Sequence, residues 1–384
     1  MIYRKWNNID VRTSTLGFGA MRLPILDGDY SKIDEPKALE MIRHAIDNGV
    51  NYVDTAYPYH GEKGEIFVGK ALKDGYREKV YLTSKLPVGR LSEKEDMERI
   101  FNEQMKKMDV DYLDFYLLHA VNRKSWENCK KLGVLDFVKR LKEEGKIRHI
   151  GFSFHDSPEI FKEIADAYDW DLVQIQFNYA DTKVQAGMES FDYAREKGFN
   201  IVIMEPLKGG SLANLLPEEL KKHFIGSGYD RSPVEWAFRW LYNFPEVKLI
   251  LSGMSSMEQV VDNLGIFDKA EPGSMSDDEM KVMHGAIDII EKNTAVPCTD
   301  CKYCMPCPAG VNIPMNFKLY NSYTGFDNKE KAKKTYLSWR EREENKFSAD
   351  LCIRCNQCIE KCPQGIMIPD RLEELDEVLT KNSD

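Results

Sequence analysis

Eight β-rich runs alternating with helix-period patterns fill residues 1–275 of this 384-residue chain. The runs lie at 15–18, 50–56, 80–86, 113–120, 147–154, 172–178, 201–207 and 247–253, after a short hairpin turning at Asn7-Asn8. Helical patterns between and after them cover 37–48, 92–108, 135–142, 159–168, 188–197, 234–242 and 257–267. In 92–108, Met97, Ile100, Phe101, Met105 and Met108 repeat along one face, and Ser92 with Glu95 is expected to form a capping box. Parallel strands need crossover helices, and eight such units close a sheet on itself. The pattern therefore predicts an α/β fold, a (β/α)8 TIM barrel. The alternative, an open doubly wound sheet, would place a GxGxxG turn before the first helix, and none is there.

Cysteine divides the chain a second time. Of nine cysteines only Cys129 precedes Val296; it follows Trp126 in an expected loop and reads as an ordinary thiol. The other eight form two runs, Cys298-x2-Cys301-x2-Cys304-x2-Cys307-Pro308 and Cys352-x2-Cys355-x2-Cys358-x3-Cys362-Pro363. Three thiolates at x2 spacing wrap a [4Fe-4S] cubane, while a fourth before proline is turned toward a different cluster. On that pattern Cys298, Cys301 and Cys304 share one cluster with Cys362, and Cys352, Cys355 and Cys358 share another with Cys307. The first run has one residue fewer before its last cysteine, so the arrangement in which each run holds its own cluster stays open. Structural zinc would ask for two CxxC pairs per ion, not two triples each trailed by Cys-Pro. Residues 331–345 between the runs are rich in helix formers, which predicts a small, mainly helical ferredoxin-like domain. The expected boundaries are 1–275 for the barrel, 276–296 for a linking helix and 297–384 for the dicluster domain.

Composition narrows the partners. A formal charge of −10 without a dense Lys/Arg run argues against nucleic acid or anionic lipid. The start MIYRKWNNIDVR has no apolar signal region, and no stretch reaches the roughly 18 apolar residues of a membrane span. A cytoplasmic protein acting on small molecules is expected.

In a barrel, reactive groups sit where strands end. Asp54, Lys85 and His119 end three consecutive predicted strands, and Tyr59 follows in the first of the loops. Polar groups at one depth on neighbouring apolar strands are hard to explain as packing. A phenol with an ordinary pKa of about 10 is a poor acid at neutral pH, and an adjacent ammonium lowers that value. Lys85 is expected to play this part, with Asp54 as its counter-charge and His119 donating to a substrate oxygen.

These residues bring the chain to a known family. The stretches LGFGAMRLP (16–24), VDTAYPYHGEKGE (53–65), TSK (83–85), LLH (117–119), GKIRHIGFS (145–153), QIQFN (174–178), EPLKGG (205–210) and SGMSSMEQVVDN (252–263) resemble the aldo-keto reductases. The cysteine-rich tail resembles the dicluster module carried by a bacterial and archaeal branch of that family. The resemblance implies a nicotinamide-dependent oxidoreductase with Asp54, Tyr59, Lys85 and His119 as catalytic tetrad. It further implies that Ser153 and Gln174 hold the carboxamide and that Gly19 and Ala20 approach the cofactor backbone. Met204 would face the nicotinamide, where many members stack an aromatic ring. Pro206, Leu207 and Gly209 would line the pyrophosphate path, and Gln259, Asp262 and Asn263 would meet the adenosine end. Phe154 replaces an asparagine common in the family, and Gly253, Met254 and Gln259 bring no cation to the usual 2′-phosphate site. Lys208 and Arg231 are the candidate replacements, which leaves NADPH narrowly ahead of NADH.

Two functions from different classes follow. One is an NAD(P)H-dependent enzyme that interconverts a small carbonyl and its alcohol, with two [4Fe-4S] clusters passing electrons to or from a redox protein partner. The other is an electron-transfer or redox-sensing protein on a barrel scaffold with little carbonyl turnover.

Overall fold

Short, nearly continuous apolar runs buried on both faces set the barrel strands, and their order closes them. The computed structural model describes residues 1–300, 302–341, 347–362 and 364–381. Strands β1 (Tyr3–Lys5) and β2 (Arg12–Ser14) form the antiparallel hairpin about Asn7-Asn8. Strands β3 (Leu16–Gly19), β4 (Tyr52–Asp54), β5 (Tyr81–Leu86), β6 (Leu113–Val121), β7 (Ile147–Phe154), β8 (Leu172–Gln176), β9 (Ile201–Met204) and β10 (Val247–Ser252) pair in parallel, each with its successor, and β10 returns to β3. This closed barrel of eight strands is the architecture the alternating pattern predicts.

The hairpin plugs one end of the barrel. Trp6 and Val11 pack with Tyr52, Phe115, Leu117, Leu172, Val202, Leu249 and Leu251 in one buried cluster. Arg4, only 6% exposed, fans its guanidinium onto the carbonyls of Tyr242, Phe244, Val247 and Ala270. Those carbonyls replace the water that a buried cation loses. With that end sealed, the opposite one, where strands end and crossover loops begin, is left for chemistry.

Three local expectations are corrected. Helix Glu95–Met108 starts later than the Ser92/Glu95 capping box required, because Asp96 accepts the Ser92 and Glu93 backbone N–H groups itself, at 2.8 and 3.2 Å. Cys129 lies on a helix, Arg123–Leu132, not in a loop; Asn122 and Ser125 cap that helix reciprocally, which its polar sequence had concealed. Burial pushes the Cys129 thiol up to about 12, so it stays protonated and inert. Helices Gly64–Ala71 and Glu218–Gly226 also escaped the periodicity, being two turns or so each.

The chain falls into two compact units, Met1–Asn178 with Ala186–Pro206 and Phe238–Met275, and Tyr179–Gln185 with Leu207–Ala237 and Ser276–Asp384. The second unit contains helices Asp277–Lys292, Ile313–Gly325, Lys329–Arg340 and Ile368–Thr380. Its core gathers Val296, Val311, Ile313, Phe317, Tyr336, Leu372 and Leu375, and Cys298, Cys304, Cys307, Cys352, Cys358 and Cys362 pack against it. The mainly helical C-terminal region is thus as expected; residues 342–346 of the predicted helical stretch lie outside the described residues. Among the described residues no helix is long and apolar enough to cross a membrane.

Candidate active site and cluster-ligand sites

Register brings the first four candidates together. Asp54 sits beside Thr83 across β4 and β5, and Lys85 beside Leu117 across β5 and β6, two residues before His119. The Lys85 ammonium donates to Asp54 Oδ1 at 2.7 Å and to the Thr55 carbonyl at 2.8 Å. It lies 5.1 Å from the Tyr59 ring centroid, and the Tyr59 and His119 rings meet edge-on at 5.9 Å. Lys85 and Asp54 are buried, whereas Tyr59 and His119 retain partial exposure. The tetrad is therefore one cluster, with its two aromatic members toward solvent.

Burial dominates its electrostatics. It drives the Lys85 ammonium downward while Asp54 holds it up, and it drives the Asp54 carboxyl upward while Lys85 holds it down. Burial also pushes the Tyr59 phenol well above its usual value, and the Asp54 charge adds to this. That reverses the expected lowering by Lys85, for a physical reason: the ammonium is already neutralised by Asp54 and spends its hydrogen bonds there and on Thr55. His119 is pushed down to about 3 by burial, with the charges of Lys85, His155 and Arg90 acting the same way. The site thus offers a protonated phenol and a neutral imidazole, both able to donate to a substrate oxygen.

The cofactor candidates are distributed over four strand ends, the loop after β9 and one helix. Ser153 and Gln174 stand opposite each other across β7 and β8. Ser153 Oγ accepts the Ala120 N–H at 2.8 Å, and Gln174 Nε2 lies 3.5 Å from Met204 Sδ at the end of β9. Gln174 Oε1 is buried without a partner, an acceptor that a carboxamide N–H would satisfy. At Gly19 a Cβ would stand 3.3 Å from the Ser252 carbonyl, and Ala20 beside it is buried. Pro206 is buried after Glu205, while Leu207 and Gly209 open the segment Leu207–Ala237 of the second unit. On helix Met257–Phe267, Gln259 accepts from the Ser255 N–H at 2.8 Å, Asn263 donates to Ser252 Oγ at 3.0 Å, and Asp262 is exposed.

Both candidate phosphate cations are already engaged. Lys208 pairs with the buried Asp181, and Arg231 pairs with Glu279 while lying over Tyr229 and Trp236. Sequence reading missed a third. Arg22, in the loop after β3, runs its side chain across Gly253, where a Cβ would meet Arg22 Cβ, Cγ and Cδ at 3.1 Å. Its guanidinium reaches Glu205 at 2.7 Å. No local signal marks this, since Arg22 and Gly253 are distant in the chain and meet only when the barrel closes.

The cysteines line two cavities of the second unit. One is lined by Cys304, Cys307, Cys352, Cys355 and Cys358. The other is bordered by Cys298, Cys304 and Cys362; Cys301 lies outside the described residues. Each cavity therefore collects a cysteine from the opposite run, in the sense that exchanged fourth ligands require. Among the described residues no group of three or more His, Cys, Asp or Glu is arranged around a single metal ion.

With this geometry in hand, comparison with known proteins is specific. The aldo/keto reductase family profile matches residues 15–283, and a 4Fe-4S dicluster domain profile matches residues 297–367. A probable aldo-keto reductase 1 of Glycine max is 31% identical over 206 residues, 51% of this chain and 57% of that protein. The L-galactose dehydrogenase of Arabidopsis thaliana is 24% identical over 76% of this chain and 96% of its own. The NADH-specific methylglyoxal reductase of Escherichia coli is 22% identical over 74% and 97%. Among solved structures, an aldo-keto reductase from Bacillus halodurans in its holo form superposes with a TM-score of 0.63 at 27% identity, covering 74% of this chain and 96% of that one. One from Klebsiella pneumoniae in complex with NADPH gives 0.58 at 21% identity, over 74% and 95%.

Proposed function

The chain belongs to the aldo/keto reductase family, and from that premise we propose an NAD(P)H-dependent oxidoreductase that interconverts a small carbonyl and its alcohol. The observation that carries this reading is the buried Lys85–Asp54 pair beneath a protonated Tyr59 that faces a neutral His119. His119 orients the substrate oxygen by donating a hydrogen bond, and Tyr59 delivers the proton to that oxygen. Lys85 steadies the phenolate left behind, and Asp54 keeps the ammonium from being an uncompensated buried charge.

A bound nicotinamide supplies the hydride. Gln174 Oε1 with Ser153 would hold its carboxamide, Met204 would face its ring, and Gly19, Ala20, Pro206, Leu207 and Gly209 would flank its phosphates. Gln259, Asp262 and Asn263 would serve the adenosine end. Arg22, its aliphatic stem across Gly253 and its guanidinium paired with the partly exposed Glu205, joins Lys208 and Arg231 as a candidate cation for a 2′-phosphate, and NADPH stays narrowly ahead of NADH. The named relatives use either form: the Escherichia coli protein is NADH-specific and the Klebsiella pneumoniae structure holds NADPH.

In the second unit we place two [4Fe-4S] clusters, one on Cys298, Cys301, Cys304 and Cys362 and one on Cys307, Cys352, Cys355 and Cys358. They supply one-electron steps toward a redox protein partner in a reducing, cytoplasmic setting. Since a hydride carries two electrons and a cluster one, exchange between the two chemistries calls for a two-electron to one-electron converter such as a flavin.

Tyr59→Phe tests the assignment. It is expected to lower carbonyl reduction by roughly 10²–10⁴-fold at unchanged NADPH affinity; undiminished turnover would overturn it. The second reading, an electron-transfer protein with little turnover, draws on Phe154, which is buried against Phe152 and Phe161 and offers a cofactor no polar group. Clusters that reduce reversibly in a protein that fails to bind either nicotinamide would favour it.

A further inference from the structure

Behind Lys85, between the sheet and its helices, four polar side chains are buried where a barrel is ordinarily apolar. Glu65, Ser84, Gln104 and Tyr116 are all fully buried. Ser84 Oγ donates to Glu65 Oε1 at 2.5 Å, and Gln104 Nε2 reaches the same oxygen at 2.6 Å. Gln104 Nε2 also lies 3.0 Å from the Lys85 carbonyl, and its Oε1 accepts from the Tyr116 hydroxyl at 2.7 Å. Ser84 and Gln104 thus both donate to Oε1 of one carboxyl group, whose Oε2 is buried without a partner. A buried carboxylate costs several kcal/mol unless such donors surround it, so the group calls for an explanation beyond filling space.

Its position supplies one. Glu65 lies in the first turn of helix Gly64–Ala71, at the far end of the loop that carries Tyr59. There the Gly64 N–H donates to the Tyr59 carbonyl at 3.0 Å, and a Cβ on Gly64 would stand 3.0 Å from Tyr59 Cβ. The near end of the loop is held by Lys85 on the Thr55 carbonyl and by the Thr55 N–H on Thr83, at 2.8 and 2.9 Å. Both ends of the Tyr59 loop are thus pinned to β5, one by the ammonium of Lys85 and the other by the carboxylate of Glu65 on Ser84.

We propose that Glu65 is a positioning residue, clamping the loop that carries the Tyr59 hydroxyl to the strand that carries the Lys85 ammonium. This rests on the reading of Tyr59 as the acid. The charge of Glu65 also favours the ammonium of Lys85, in the same sense as Asp54 does. Burial pushes the Glu65 carboxyl upward, the hydrogen bonds from Ser84 and Gln104 and the charge of Lys107 hold it down, and Glu103, on helix Glu95–Met108 with Lys107, adds to the rise.

The test compares full-length, cluster-loaded Glu65→Gln, Ser84→Ala and Tyr59→Phe, with methylglyoxal and 4-nitrobenzaldehyde as probe carbonyls. Readouts are kcat against pH, NADPH affinity by fluorescence, and thermal unfolding. Glu65→Gln keeps the shape of the acceptor but loses its charge. It is expected to bind NADPH as the parent does, to lose about ten- to a hundredfold in kcat, and to shift the alkaline limb of the profile to lower pH as Lys85 sheds its proton more readily. Ser84→Ala keeps the charge and is expected to lower kcat without moving that limb. A purely structural role would lower the melting temperature of both variants and leave the kcat profile of the folded fraction on that of the parent, which overturns the proposal. Should Glu65→Gln not fold, an unchanged kcat in Ser84→Ala overturns it equally. Tyr59→Phe separates the two readings: if it is inactive while Glu65→Gln behaves as the parent, only the clamp fails, and if it is fully active the acid assignment itself fails.

Discussion

At the residue scale, the buried Lys85–Asp54 pair decides most of what the neighbouring groups do. An unpaired ammonium would lower the Tyr59 phenol, but one neutralised at 2.7 Å leaves burial in control. The same burial makes His119 a sensor of acid. Its folded value near 3 lies below the ordinary histidine value of about 6.5, so below that pH the unfolded chain binds a proton the folded one refuses. Stability is then expected to fall progressively from about pH 6.5 toward pH 3, and to be unaffected by His119 above that window. His119→Gln, which cannot take the proton, should flatten the unfolding free energy across the window. Urea titrations at pH 7, 5.5 and 4.5 check this; equal slopes in parent and variant would show that His119 is not the group responsible. The candidate tetrad stood out in the sequence because each residue ends or follows an apolar run. Their protonation states were not, because those depend on which partner each side chain meets in space.

At the scale of elements, strand number and order could be read from the chain, since short apolar β-rich runs and the helical patterns between them are local properties. The short helices Gly64–Ala71 and Arg123–Leu132 could not, because two or three turns hold too few apolar positions to show a period. Gly64–Ala71 matters all the same, since it follows directly on the Tyr59 loop. It packs on helix Glu95–Met108 through Gly69, where a Cβ would lie 2.4 Å from the Met108 carbonyl oxygen. Backbone cannot yield as a flexible side chain does. Gly69→Ala is therefore expected to cost about 1–3 kcal/mol, read as a lower urea midpoint at unchanged slope. Because the helix carries Glu65, its displacement should also reduce turnover. A variant as stable as the parent would show that the two helices part without strain.

For the molecule as a whole, the two cysteine runs are read together only in three dimensions. Spacing picked out eight candidate ligands but left open whether each run keeps its own cluster. The two cavities, one taking Cys307 into the company of Cys352, Cys355 and Cys358 and the other placing Cys362 with Cys298, favour the exchanged arrangement. Cys307→Ser and Cys362→Ser then act on different clusters, each removing the one ligand that comes from the run opposite to the other three. Each is expected to halve the iron and acid-labile sulfide, and the two should leave different EPR signals after dithionite reduction. If Cys307→Ser and Cys298→Ser damage the same cluster, each run holds its own.

The strand count, the candidate tetrad and the cluster ligands were all present in the chain as written, because periodicity and ligand spacing are set by neighbours a few residues apart. Arg22 across Gly253, Glu65 on Ser84 and Gln104, and the meeting of Cys362 with Cys298 were decided by folding alone. Each joins groups far apart in sequence, and only closure of the barrel or packing of the helices determines which charge meets which, how much water remains between them and hence what each can do.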